Sequence, residues 1–290
     1  MGGHGTIYVT GEITTKAKIR VREVITRIVG RHLGYQENIA LQSPDIAKGV
    51  DTGGAGDQGV VSGYACRENE EMVPHEFYLA RKLCKHLFLL HPEDGKTQET
   101  LNTNTGQVES AVVSFNNVPG DILKDEAAKF FIDLGMQRPS QIFANPAGDW
   151  SVGSFDADTG LTGRKLVVDN YGPQIPIGGG AFSGKDCTKV DRTGAYFARF
   201  LACDLLNKNP EVSRTRVKLA FSIGVPKPVM QTVTQQVLGN DGYVDTEYEI
   251  PETFLISEMI RFLDLRSPIF EKTAEWGAFG NGFKWDAVIK

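Results

Sequence analysis

Apolar residues in this chain recur at two spacings, and the spacings predict the elements. Thr6 to Thr10 reads T-I-Y-V-T, β-branched and aromatic, and predicts a strand; Gly11-Glu12-Ile13-Thr14-Thr15 follows as a turn or a continuation. Over 18–33, Ile19, Val21, Val24, Ile25, Ile28, Val29 and Leu33 fall at roughly helical intervals, with Gly34 as a stop. Positions 39–41 predict a short strand. Phe77, Leu79, Ala80, Leu83, Leu87 and Leu90 predict a helix over 74–90, and Ala127, Ala128, Phe130 and Phe131 one over 123–134. Between them, 97–101 and 108–113 read as strands. Beyond, 195–206 and 252–263 read as helices and 217–225 and 229–237 as strands. The tail is aromatic, with Trp276, Phe279, Phe283 and Trp285.

Two stretches break the periodicity. Positions 49–63 are glycine-rich, and 145–192 reads as polar loop interrupted by one short apolar strand at 166–168. Of 32 glycines, an excess over the usual share, many cluster in these two stretches. The alternation of strands and helices implies an α+β fold with helices covering sheets, and no low-complexity linker separates its parts.

A hydrophobic content of 41% with 23% charged residues excludes a disordered or collagen-like chain. The net charge of −5 argues against non-specific nucleic-acid binding, which needs a basic face. No apolar run is long enough for a transmembrane helix, and no signal peptide is visible, so the expectation is a cytoplasmic protein. Cys66, Cys84, Cys187 and Cys203 form no C-x-x-C pair and suit reduced thiols; the five histidines form no metal-binding pair.

The chemistry concentrates in the glycine-rich stretches. Gly53-Gly54-Ala55-Gly56-Asp57-Gln58-Gly59 reads either as a surface loop or as a backbone cradle for an anion, with Asp57 accepting hydrogen bonds from a ribose or pairing with a cation. Gly178-Gly179-Gly180-Ala181-Phe182-Ser183-Gly184-Lys185-Asp186 resembles a phosphate loop but is not the Walker motif, because Asp186 stands where that motif needs Ser or Thr. Lys185 and Lys189 are compact cations suited to phosphate oxygens, and Asp191 suits magnesium. Gly160-Leu161-Thr162-Gly163-Arg164-Lys165 adds two cations, with Asp158 just before them. With Lys96, this set suits a polyphosphate.

In their order these motifs resemble the S-adenosylmethionine synthetase family. The resemblance rests on 54–59 and 178–192, supported by Gly11-Glu12-Ile13-Thr14-Thr15, Gln42-Ser43-Pro44-Asp45-Ile46, 160–165 and Ser222-Ile223-Gly224-Val225. It implies three similar α+β units around a pseudo-threefold axis, here a truncated 1–50, then 52–150 and 152–290. It implies an enzyme that joins ATP and L-methionine: the sulfur attacks the ribose C5′, and the displaced triphosphate is cleaved to pyrophosphate and phosphate, with Mg2+ and K+ assisting. Lys96, Arg164, Lys165 and Lys185 would hold the triphosphate and Asp57 the nucleoside. Trp150 would stack on adenine where the family usually has phenylalanine. Glu12, Gln42, Asp158, Lys189 and Ile223 would surround the methionine, and Asp191 would join in metal binding. Asp149 stands where a basic residue is common. A homodimer or dimer of dimers with shared active sites is implied.

The family's G-H-P-D-K motif, expected upstream of Thr6, is not in this sequence, nor is a potassium-binding glutamate just upstream of the same strand. The tail holds no such motif either, which argues against circular permutation. His91-Pro92-Glu93-Asp94 mimics the motif but reads as a loop. Met1-Gly2-Gly3-His4-Gly5 reads as a natural start or an appended stretch. The loop at 49–54 looks shortened, which would alter gating of the site. The alternatives are therefore an active synthetase, or a non-catalytic nucleotide-binding homologue or partner subunit of a split synthetase.

Overall fold

The computed structural model describes residues 1–30, 33–44, 48, 53–239 and 242–286. The expected shortened loop lies largely outside them. The fold is α+β, with three sheets and their helices, as the sequence leads one to expect. The chain divides into two compact units, one of residues 1–41 and 76–161, the other of 42–75 and 162–290.

The first unit holds two three-stranded sheets. In one, β1 (Gly2–Gly3) pairs antiparallel with β2 (Thr6–Glu12), and β2 runs parallel to β3 (Gly34–Ala40). A parallel pair needs a crossover, and α1 (Val21–Val29) lies within it. The helix stops at Gly30, left-handed at φ 75°, whose N–H donates to the Thr26 carbonyl.

In the other sheet, β5 (Gly95–Leu101) pairs antiparallel with β6 (Val108–Phe115), and β6 runs parallel to β7 (Gln141–Ala144). From α2 (His75–Leu90) come buried Phe77, Leu79, Leu83 and Leu87; from α3 (Gly120–Asp133) come Leu123, Ala127, Ala128, Phe130 and Phe131. Val108, Ala111, Val113 and Phe115 of β6 join this core. Short α4 (Ser154–Ala157) packs by β1, and Gly2 and Gly160 exchange backbone hydrogen bonds.

The second unit is built on a four-stranded antiparallel sheet in the order β10, β9, β8, β4, formed by β4 (Gly59–Cys66), β8 (Val212–Phe221), β9 (Met230–Gly239) and β10 (Gly242–Glu249). Across it lies α6 (Val190–Lys208), in which fifteen of nineteen residues are buried. Short α5 (Leu166–Asp169), α7 (Ile256–Phe262), α8 (Phe270–Thr273) and a closing 3-10 turn (Lys284–Asp286) complete the unit. The aromatic tail packs here: Phe279 stacks on Tyr171 at 4.5 Å and Trp285 on Tyr196 at 4.0 Å. All four cysteines are free, and burial pushes the Cys66 thiol up to about 11 and Cys203 up to about 12.

Three expectations are corrected. The apolar run at 166–168 is helical, not a strand: three residues are too few to reveal a period, and Val167 and Val168 are exposed. Residues 222–225 leave the sheet, because β8 ends at Phe221. The glycine-rich stretch at 49–63 runs into a buried strand, β4, whose glycine serves packing: a Cβ on Gly63 would stand 2.0 Å from the Ala198 carbonyl carbon of α6.

Gly63→Ala is therefore expected to force α6 off the sheet and destabilise the protein by about 1–3 kcal/mol, measured as a lower urea midpoint. A second prediction concerns Glu99 of β5. It shares a strand face with Thr97, whose hydroxyl donates to the Ala80 carbonyl of α2 at 2.6 Å. Both Glu99 carboxylate oxygens are buried without a hydrogen-bond partner, and burial raises the pKa from 4.5 to about 8. The folded state thus keeps a proton that the unfolded state releases, so ionisation adds nothing to the cost of this group below pH 4.5 and an increasing amount as pH rises to about 8. Glu99→Leu should raise the melting temperature, more at pH 8.5 than at pH 5, with a gain of about 1–3 kcal/mol from removing the unsatisfied group; an equal gain at both pH values would refute the assignment.

Candidate functional site

Within the second unit, four motifs distant in sequence converge. Ala55 forms a parallel bridge with Ile223, its N–H donating to the Val225 carbonyl while Gly224 N–H donates to the Ala55 carbonyl. A Cβ on Gly163 would lie 3.2 Å from the Ala181 side chain, so 162–165 runs beside the 178–184 loop. Gly178 packs against the Val60 carbonyl at a separation that would leave a Cβ only 2.0 Å away. A Cβ on Gly180 would stand 2.2 Å from the Asp191 carboxyl carbon. Gly178 and Gly180 are therefore required by close backbone approach.

Asp191 opens α6, and its carboxylate is ion-paired to the Lys185 ammonium. The loop carrying them is tied down from within. Arg192 donates through Nε to the Phe182 carbonyl at 3.0 Å and lies over the Phe270 ring. The Thr193 hydroxyl donates to the Cys187 carbonyl at 2.6 Å, and Lys189 Nζ lies 3.9 Å from Asp186. Burial works to raise the Asp186 pKa, but hydrogen bonds from Thr188 and the Lys189 charge outweigh it and hold the carboxyl below its ordinary value. Arg164, Lys165 and Asp57 are exposed, Asp57 accepting the Gln58 N–H at 2.7 Å; Ile223 is exposed and Gln42 half-buried. This arrangement gathers Lys185, Arg164 and Lys165 around glycine-rich backbone near the start of α6.

Among the described residues no three His, Cys, Asp or Glu side chains gather into a metal-binding group. Asp191 alone nevertheless suits a hard divalent cation that draws its other ligands from phosphate oxygens and water. Glycines flank its carboxylate: a Cβ on Gly59 would lie 3.9 Å from its Oδ1. For potassium the described residues offer no acidic cluster.

The remaining candidates lie in the first unit. Lys96 is exposed on β5, opposite Ser114. Just before it, the Asp94 carboxylate accepts the Ser154 N–H at 2.7 Å, bringing the start of α4 to this strand end. Asp158 accepts the Thr159 N–H at 2.6 Å, and Glu12 is exposed at the end of β2. Trp150 donates from its indole N–H to Asn145 Oδ1 at 3.3 Å. His91 follows α2 as a loop residue and meets Glu126 at 2.9 Å.

Asn145 is not singled out from sequence, and Asp149 is noted there only as a departure from a basic residue; the structure gives both a role. Asn145, buried and left-handed at φ 40°, accepts the Phe115 N–H and donates to the Val118 carbonyl while holding Trp150. Asp149 accepts the Gly120 N–H at 2.9 Å and caps α3, so its departure from a basic residue has a structural use. The turn signature of Asn145-Pro146 is the one cue that could have pointed here.

Known proteins share the domains that make up this chain. Residues 52–149 match the S-adenosylmethionine synthetase central domain, and 152–287 match its C-terminal domain. The S-adenosylmethionine synthase 1 of Rhodospirillum rubrum is 38% identical, over 97% of this chain and 84% of that protein. The synthase of Desulforudis audaxviator is 35% identical, over 99% of this chain and 85% of its own length. These alignments run over 326 and 338 positions, more than the 290 of this chain, so the relatives carry internal segments that it lacks. A solved structure, described as an unusual S-adenosylmethionine synthetase from Campylobacter jejuni, superposes with a TM-score of 0.81 at 26% identity, covering 99% of this chain and 86% of that one. Two domain matches, relatives at this identity over nearly the whole chain, and a shared fold lead to one conclusion: the chain belongs to the S-adenosylmethionine synthetase family of enzymes.

Proposed function

We propose that this chain is a methionine adenosyltransferase that forms S-adenosylmethionine from ATP and L-methionine and cleaves the displaced tripolyphosphate to pyrophosphate and phosphate. The observation that carries the reading is the Lys185–Asp191 ion pair at the glycine-lined start of α6, where four motifs meet. The leaving group is a polyanion, so the chain's task is chiefly to position it and offset its charge. Lys185, Lys96, Arg164 and Lys165 bind the phosphates in this reading. Arginine does so through a planar fork and lysine as a compact charge. Asp57 contacts the nucleoside, and Trp150, oriented by Asn145, offers its ring to the adenine.

Glu12, Gln42, Asp158, Lys189 and Ile223 orient the methionine sulfur toward C5′. Asp191 is the residue that would hold Mg2+, which when bound neutralises phosphate charge. Potassium belongs to the family pattern, and no residue here is assigned to it. The proposal includes a homodimer or dimer of dimers, checked by light scattering, and the unit boundaries 1–50, 52–150 and 152–290.

Incubation with ATP, methionine, Mg2+ and K+ should yield S-adenosylmethionine and pyrophosphate. Lys185→Ala should lower turnover by about a hundredfold or more without a matching loss of stability. Absent product at high protein concentration, with ATP still bound in calorimetry, would replace this reading with a non-catalytic nucleotide-binding homologue. Turnover appearing only when a G-H-P-D-K-bearing peptide is added would make the chain the partner subunit of a split synthetase.

A further inference from the structure

A pocket of about 420 Å³ opens in the second unit between the turn at Gly53 and Gly54, Thr188, and the stretch from α7 to Arg266. None of Asp57, Arg164, Lys165, Lys185, Lys189 or Asp191 lines it. Two guanidinium groups do, Arg261 in the last turn of α7 and Arg266 just beyond it. Among the described residues neither has a carboxylate within ion-pairing distance. The third charged lining residue, Asp264, accepts the Ser267 hydroxyl at 2.8 Å, so positive charge is in excess. Ser257 brings a hydroxyl, and Ile256 and Ile260 supply an apolar wall. Unpaired arginines at a concave surface suit the planar, bidentate recognition of phosphate oxygens, and the volume lies within the range of small-molecule sites.

The walls of this pocket are also the backs of segments assigned to substrate. Gly54 packs on the Gly224 backbone, where a Cβ would stand 2.4 Å from the carbonyl oxygen, and Ala55 is bridged to Ile223. The first N–H of α7 donates to the Pro226 carbonyl at 2.9 Å. Thr188 immediately precedes Lys189. We propose that this pocket is a second anion site, distinct from the triphosphate site, that takes phosphate groups and through the 53–55 and 223–226 segments alters binding of methionine. The coupling rests on the adenosyltransferase reading; the anion site itself does not.

The test is calorimetric titration of the full chain with pyrophosphate, without magnesium. The wild type should bind two equivalents. Arg261→Gln/Arg266→Gln should lose one, with affinity at that site falling at least about tenfold, while Lys185→Ala keeps it. Unchanged binding in the double arginine variant overturns the proposal. Two equivalents retained by Lys185→Ala would instead count against Lys185 as a phosphate ligand and leave this site standing. Should the double variant fail to fold, Ser257→Asp, which sets a carboxylate in the pocket and keeps both arginines, should weaken the same equivalent; no weakening overturns the proposal. On the Lys185→Ala background, displacement of pyrophosphate by ATP identifies nucleotide phosphates as the ligand, and no displacement identifies the free anion. In turnover assays the double variant should alter the KM for methionine under added pyrophosphate and leave kcat unchanged without it.

Discussion

The second unit depends on one buried cation. The Arg199 side chain is wholly buried in α6, and its guanidinium makes four hydrogen bonds. Nε donates to Asp286 at 2.9 Å, one terminal nitrogen to the carbonyls of Tyr64 and Met72 at 2.5 and 2.7 Å, and the other to the Glu71 carbonyl at 2.8 Å. A buried charge left unpaired is very costly, so these bonds fix where β4, the 71–72 turn and the C-terminal segment must lie. Asp286 is saturated in turn by the N–H groups of Gly280, Asn281 and Phe283. The network stands two helical turns from Asp191. It therefore sets the helix whose first turn carries the ion pair of the candidate site.

Anchoring α6 in this way demands that it approach the sheet closely, which explains the glycines at 63 and 194. Gly63 meets the backbone at Ala198, and a Cβ on Gly194 would come within 2.6 Å of the Phe221 ring. At the start of the helix the same lack of a side chain at Gly180 makes room for the Asp191 carboxylate. From sequence, glycine density in 49–63 and 153–184 reads as loop suited to wrapping a ligand. In the fold, Gly63 and Gly178 answer to backbone contact, whereas Gly53, Gly179 and Gly224 have open space where a Cβ would sit and take positive φ of 84°, 84° and 76°. Helix packing and loop geometry draw on the same residue type, and composition alone cannot separate the two.

How much was legible follows from where the information lies. α2, α3 and α6 bury faces against neighbours, and their apolar residues recur accordingly. β10 does not: seven of its eight residues are exposed, so G-Y-V-D-T-E-Y-E carries no alternation to read. β7 has four residues, too few for a period. The charged motifs around Lys185 and Arg164 were legible because each is contiguous in the chain. Asn145 and Asp149 were not, since their roles come from partners at Val118, Phe115 and Gly120. The Arg261–Arg266 pocket was hidden for the same reason: its opposite wall, at Gly53 and Gly54, is some two hundred positions away in the chain.

Two ion pairs of the second unit, Arg199–Asp286 and Lys185–Asp191, show what separates a structural charge from an exchangeable one. Arg199 and Asp286 are 0% and 6% exposed, and within the protein Arg199 donates four hydrogen bonds and Asp286 accepts four. Nothing could replace either partner without stranding the other. Lys185 and Asp191 are more open, at 31% and 14% exposed, and the pair engages one of the three N–H donors that an ammonium carries. Asp191 thus compensates the lysine while no anion is present, and a phosphate oxygen can take the lysine over without leaving an unpaired buried charge. The carboxylate so released is free to serve a cation arriving with the same phosphates. In the proposed reaction, therefore, the pair is a resting arrangement whose partners are exchanged by substrate, on a helix that the saturated pair two turns away does not allow to move.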